Sequence, residues 1–128
     1  MIIFSSVYSK MNIILSLFTE KQKNTKEADR IMNKYPDRIP IIVSRNIKSR
    51  NTPELDKYKY LVPMDLTIGQ FMYVIRKRLQ LNPEKALFIF INQTIACNST
   101  IVSQAYNESR DPHDGFLHVV YSCENTFG

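Results

Sequence analysis

KYLVPMDLTIGQFMYVIRKRLQLNPEKALFIFIN, residues 59–92, decides the fold. Tyr58 to Val62 is a short aromatic and β-branched run, so a strand, and Pro63 stops it. Asp65 and Thr67 can each cap a helix that runs from Thr67 to about Leu81. Leu81-Asn82-Pro83 closes that helix. Ala86 to Ile91 is almost wholly apolar and reads as the next strand. At about 100° per residue, Ile68, Met72, Ile75 and Leu79 share one narrow stripe, which faces a core. Phe71 and Val74 lie to one side of it, with Arg78 between them. They either bury under a neighbouring strand or form the rim of a pocket.

Upstream, the spacing of Asn24 and Glu27 fits a capping box, so a helix starts near Thr25. It runs to Lys34 and ends at Tyr35-Pro36. Ile39 to Val43 is a β-branched strand. Residues 46–56 are polar, contain Pro53 and form a loop. Downstream, Ile101 to Glu108 fits a short helix, Arg110 to Gly115 a turn and Phe116 to Tyr121 a last strand. Two strands, a crossing helix and two more strands are the order of an α+β, ubiquitin-like β-grasp with a four-stranded mixed sheet. Ile39 to Val43 and Tyr60 to Pro63 are apolar at successive positions. Strand side chains alternate faces, so both faces are covered or one of them binds something. The N-terminal helix can cover part of that second face.

The 128 residues suit one domain with its own core. Three Gly, widely spaced, exclude a phosphate-cradling loop. The net charge of +5 gives a basic surface that attracts acidic peptides and anionic lipid heads. Nucleic acid is disfavoured, because the basic residues are thinly spread apart from Arg76-Lys77-Arg78. Cys97 and Cys123 make no disulfide framework and no metal spacing with His113. The sequons at Asn92, Asn98 and Asn107 matter only in a secreted chain. Residues 1–18 are apolar but lack a charged lead and a small-residue cleavage site, and Lys10 splits them. That argues against a signal peptide and a membrane span. A helix packed on the domain, a membrane-touching segment or a start assigned too far upstream, with Met11 the next start, all remain open. His118 and Cys123 invite a nucleophile reading, but no orienting residue or oxyanion loop accompanies them. Asp111 and Asp114 sit in a turn and are expected to bind backbone.

Three stretches carry a resemblance. KYPDRIP (34–40), the opening run at 59–92 and DGFLHVVYSCENTFG (114–128) are similar to the autophagy-related protein eight family of ubiquitin-like modifiers. Its branches include the GABA-receptor-associated protein and the microtubule-associated protein light chain three. The resemblance implies a helical or apolar extension over residues 1–30 and a ubiquitin-like domain with a conjugation tail over 31–128. It implies no enzyme activity, metal or cofactor. E1-like and E2-like enzymes would join Gly128 to phosphatidylethanolamine, and a cysteine protease would reverse this. The chain would be cytoplasmic, and autophagosomal when lipidated, where it would recruit cargo receptors. Nothing follows Gly128 in this sequence, so no priming cleavage is expected.

The family also binds peptides with an aromatic residue and, three places on, an aliphatic one. By motif match, a first pocket would use Ile31, Pro40, Ile42, Lys59, Leu61 and Phe116, with Glu27 nearby. A second would use Tyr60, Val62, Pro63, Leu66, Phe71 and Val74, with Arg38 at its edge. Lys57 and Lys59 would meet acidic flanking residues. Tyr60→Ala with Leu61→Ala is expected to weaken binding and leave the domain folded. Met64 makes the second rim more apolar than the family pattern. Ala96-Cys97 replaces a usual proline pair, so that loop is expected to be looser. Residues before Ile31 do not match. Besides a lipid-conjugated modifier, a non-covalent adaptor for peptides or the cytoskeleton and a thiol enzyme using Cys123 remain as alternatives.

Overall fold

A computed structural model describes residues 2–3 and 25–124. In chain order the elements are β1 (Ile2–Ile3), α1 (Thr25–Lys34), β2 (Arg38–Arg45), β3 (Lys59–Pro63) and α2 (Ile68–Leu79). Then come β4 (Phe88–Ile91), β5 (Thr94–Ile95), α3 (Val102–Ser109) and β6 (Leu117–Ser122). The strands form one mixed sheet in the order β1-β3-β2-β6-β4-β5. β2 pairs antiparallel with β3 and parallel with β6, and β4 pairs antiparallel with β6. The four expected strands and the crossing helix are therefore present. β1 and β5, each of two residues, were not expected and extend the sheet at its two edges. The proposed cap Asn24 lies outside the described residues.

α2 starts where Thr67 allows. Thr67 and Gln70 form a reciprocal capping box, and Phe71 N–H donates to Thr67 O. Ile68 and Gly69 N–H donate to Thr100 O and Asn98 O at 2.8 and 2.9 Å. The first-turn amides, which no helix can satisfy internally, are thus all bonded. A Cβ on Gly69 would come within 3.3 Å of Asn98 O, so a side chain there must push the loop away. The helix ends at Gln80, which takes the left-handed conformation at φ 55°.

Strand alternation divides the apolar residues into two sets. Ile39, Ile41 and Val43 of β2, Tyr60 and Val62 of β3, and Leu117, Val119 and Tyr121 of β6 point into one main core. There they meet Ile68, Phe71 and Ile75 of α2 and Val102, Ala105 and Tyr106 of α3. The intervening residues Ile42 and Leu61 pack on the other face with Phe116 and with Ala28 and Ile31 of α1. This covers the second apolar face, as the N-terminal helix was expected to do. The polar loop after β2 is pinned rather than free. Tyr121 Oη donates to Pro53 O at 2.8 Å and accepts from Leu55 N–H at 3.0 Å, and Thr52 Oγ1 accepts from Cys123 N–H.

The loop at Ala96 is also tied. Ala96 N–H donates to Ile89 O at 2.9 Å, a bond that a proline could not make. The expectation of a looser loop is corrected for that reason.

Candidate functional site

β3 is the strand on which the candidate residues converge. Val43 N–H donates to Tyr58 O at 2.7 Å, and Ile41 lies opposite Tyr60 and Ile39 opposite Val62. In an antiparallel ladder the backbone groups of alternate residues point to the same side. Tyr58, Tyr60 and Val62 therefore turn their backbone groups toward β2. Lys59 and Leu61 turn theirs toward the outer edge. Pro63, at the end of that edge, has no N–H to offer.

The side chains flank this edge on its two faces. On the α1 face, Ile31, Leu61 and Phe116 are buried together and Ile42 is half-buried against them. Pro40, also buried, lies opposite Leu61 in the β2–β3 register. Lys59 Nζ lies 3.1 Å from Glu27 Oε2, and 5.8 and 5.9 Å from the ring centres of Phe116 and Tyr58. The residues named for the first pocket thus lie together on the α1 face of β2 and β3. Glu27 is 1% exposed. Burial pushes its carboxyl above the usual value, and the hydrogen bond and charge of Lys59 only partly offset this. The sequence held a signal for its placement, because Glu27 and Ile31 are four apart on one helix face. Ala28, which completes this cluster, was missed.

On the opposite face, Tyr60, Val62 and Phe71 have no exposed surface. Tyr60 and Phe71 meet edge to face with ring centres 5.8 Å apart. Leu66, Pro63 and Val74 are half-buried, and Met64 is 42% exposed beside them. Arg38 lies opposite Pro63 at the end of the β2–β3 ladder. The second set therefore has a floor of core residues, Tyr60, Val62 and Phe71, with Leu66 packed against that core, while Pro63 and Val74 keep accessible surface and Pro63 shares strand parity with Leu61. Phe71 belongs to the core of α2, and Met72, placed in the stripe by angle, is only partly buried. Tyr60 and Leu61 are both fully buried. Truncating the two together removes core volume from both faces, so the expectation of an intact fold in the double variant is corrected. Lys57 is exposed, and its carbonyl accepts from Tyr60 Oη at 2.9 Å.

The thiol reading loses its geometry. Cys123 packs against the main core, whereas His118 is exposed on the other face of β6, an odd number of residues away. His118 Nε2 instead lies 2.7 Å from Asp114 Oδ2. Asp114 Oδ1 accepts from Phe116 N–H and Asp111 Oδ1 from His113 N–H, so both carboxylates serve the turn. Gly128 lies outside the described residues. Among the described residues, no helix is long and apolar enough to cross a membrane.

Comparison with known proteins agrees with this architecture. Residues 23–128 match the family model described as autophagy protein Atg8, ubiquitin-like. Autophagy-related protein 8d of Arabidopsis thaliana is 55% identical over 107 residues, covering 84% of this chain and 88% of that one. Autophagy-related protein 8 of Candida glabrata is likewise 55% identical over 107 residues, covering 84% and 89%. The crystal structure of Trypanosoma brucei ATG8 superposes with a TM-score of 0.73 at 43% identity, covering 81% of this chain and 88% of that one.

Proposed function

The chain belongs to the Atg8 family of ubiquitin-like autophagy proteins, and from that premise we propose that it is a lipid-conjugated modifier that recruits receptors along the outer edge of β3. The observation that carries the recruiting role is the placement of two apolar sets on opposite faces of one strand edge. A peptide that extends the sheet there would bond to the outward N–H and C=O groups of Lys59 and Leu61. Residues three apart on such a peptide point to opposite faces, because three is odd. An aromatic side chain could then lie against Ile31, Leu61 and Phe116. An aliphatic one three places on could lie against Pro63, Leu66 and Val74. An aromatic-x-x-aliphatic spacing, being odd, is compatible with two pockets astride one strand.

Acidic residues before the aromatic would meet Lys57, which is exposed, and Lys59, whose charge Glu27 already shares. Rim charges of this kind act mainly on association rate and salt dependence.

The conjugating role rests on the family match, which runs to residue 128. A C-terminal glycine carboxylate suits sequential adenylate, thioester and amide chemistry, since without a Cβ its carbonyl is open to attack. E1-like and E2-like enzymes, a delipidating cysteine protease, cargo receptors and phosphatidylethanolamine membranes are the partners of this reading. The protein would be cytoplasmic when free and on autophagosomal membranes when conjugated. Incubation with those enzymes, ATP and phosphatidylethanolamine vesicles should convert the chain to a faster-migrating, membrane-bound form, and Gly128→Ala should abolish that form. Conversion of Gly128→Ala at the normal rate sinks the conjugation, and a wild-type chain that stays unmodified favours a non-covalent adaptor.

A further inference from the structure

The outer edge of β3 is already paired. β1 runs parallel to β3, with Ile2 opposite Tyr60 and Ile3 opposite Leu61. Those positions lie on the edge argued above to receive a peptide. Without β1, β3 would be an edge strand with open donors and acceptors, a feature that folded proteins cover, charge or shorten. Here the chain covers it with its own backbone.

The sequence suits the task. Ile2 and Ile3 are β-branched, and residues 1–9 contain neither charge nor proline. A parallel pair needs a connection of a dozen or more residues. Residues 4–58, which include α1 and β2, supply it. The pair is only two residues long. It is short enough to be displaced by a peptide that adds side-chain anchors on both faces.

We propose that β1 is a self-supplied strand that caps the β3 edge and that peptide ligands must displace. This rests on the reading of the β3 edge as the peptide site. An internal competitor multiplies the apparent affinity by the fraction of molecules whose edge is free, so the apparent Kd is the intrinsic Kd divided by that fraction. Affinity for receptors would then be set in part by residues that never touch a receptor.

The test compares the full chain with its Ile2→Pro/Ile3→Pro variant, in which the Ile2 N–H facing the Lys59 carbonyl is lost and the proline rings disfavour strand pairing, freeing the Leu61 amide. Two readouts are taken: amide hydrogen exchange at Leu61 without ligand, and titration with a synthetic Asp-Asp-Asp-Trp-x-x-Leu peptide. The expected result is protection of the Leu61 amide in the wild type and its loss in the variant. Peptide binding should tighten by about threefold or more in the variant. Equal exchange at Leu61 in both chains, with an equal and measurable Kd, overturns the cap and leaves the peptide site standing. Protection lost in the variant, with peptide bound by neither chain, supports the cap and overturns the peptide reading instead.

Discussion

The two faces of the sheet are built to different standards. On one face, α2 and α3 close over a core that includes Ile41, Tyr60, Phe71, Ile75, Val119 and Tyr121, all nearly or wholly inaccessible. On the other, α1 contributes Ala28 and Ile31 to a small cluster with Leu61 and Phe116, beside a buried carboxylate held by one lysine. The first face has volume to lose and little accessible surface. The second is thin, and its members lie next to an edge whose backbone can pair. The larger buried core lies on the α2 face and the smaller cluster on the α1 face, and β3 belongs to both.

That contrast can be broken by truncating each face in turn. Phe71→Ala should be the most damaging change, lowering unfolding free energy by about 3–5 kcal/mol, read by urea denaturation. A loss below about 1 kcal/mol would mean that the Tyr60–Phe71 packing does not hold the core. Ile31→Ala, on the thin side, should cost about 2–4 kcal/mol at most. In the molecules that remain folded it should also weaken a Trp-x-x-Leu peptide by more than tenfold, which corresponds to about 1.4 kcal/mol or more. An unchanged Kd in folded Ile31→Ala would remove the α1 face from the site.

Glu27→Gln sharpens the comparison electrostatically. Its carboxyl has a folded-state pKa raised above the ordinary value of 4.5, chiefly by burial. The folded protein therefore holds that proton more tightly than the unfolded chain does. The stability this contributes is complete below pH 4.5 and is lost as pH rises through the raised value. Glu27→Gln should accordingly raise the Tm at neutral pH and leave it nearly unchanged at pH below 4.5. A Tm that falls at neutral pH would show that the Lys59 pair outweighs burial.

The smallest effects belong to the periphery of the α2 face. Asn92 and Gln93 join β4 to β5 with φ of 52° and 64°. A two-residue turn with positive φ at both positions favours Asn-Gly, so Gln93→Gly should stabilise by roughly 0.5–1 kcal/mol. Thermal denaturation checks this, and a loss would mean that the Gln93 side chain makes a contact worth more than the strain.

Much of this was legible in the chain. The caps, prolines and alternating apolar runs located the four main strands and all three described helices to within two or three residues. The resemblance of residues 34–40, 59–92 and 114–128 also picked out Ile31, Leu61 and Phe116, which the fold brings into one cluster. Angle alone left Phe71 between burial and a pocket rim, because an ideal helical wheel does not show that Tyr60 stands edge-on to it. The same limit hid the burial of Glu27, whose charged side chain reads as solvent-facing until Lys59 is placed beside it.

Local pattern determined which residues form strands and helices, because turn chemistry and the periods of 2 and 3.6 are properties of neighbouring residues. Tertiary structure alone decided that α1 covers the back of β3, that Tyr60, Val62 and Phe71 sink into the main core, and that Ile2–Ile3 lies along the outer edge. The last of these was beyond any reading of side-chain pattern, since a two-residue strand is held by backbone hydrogen bonds, which every residue but proline can donate.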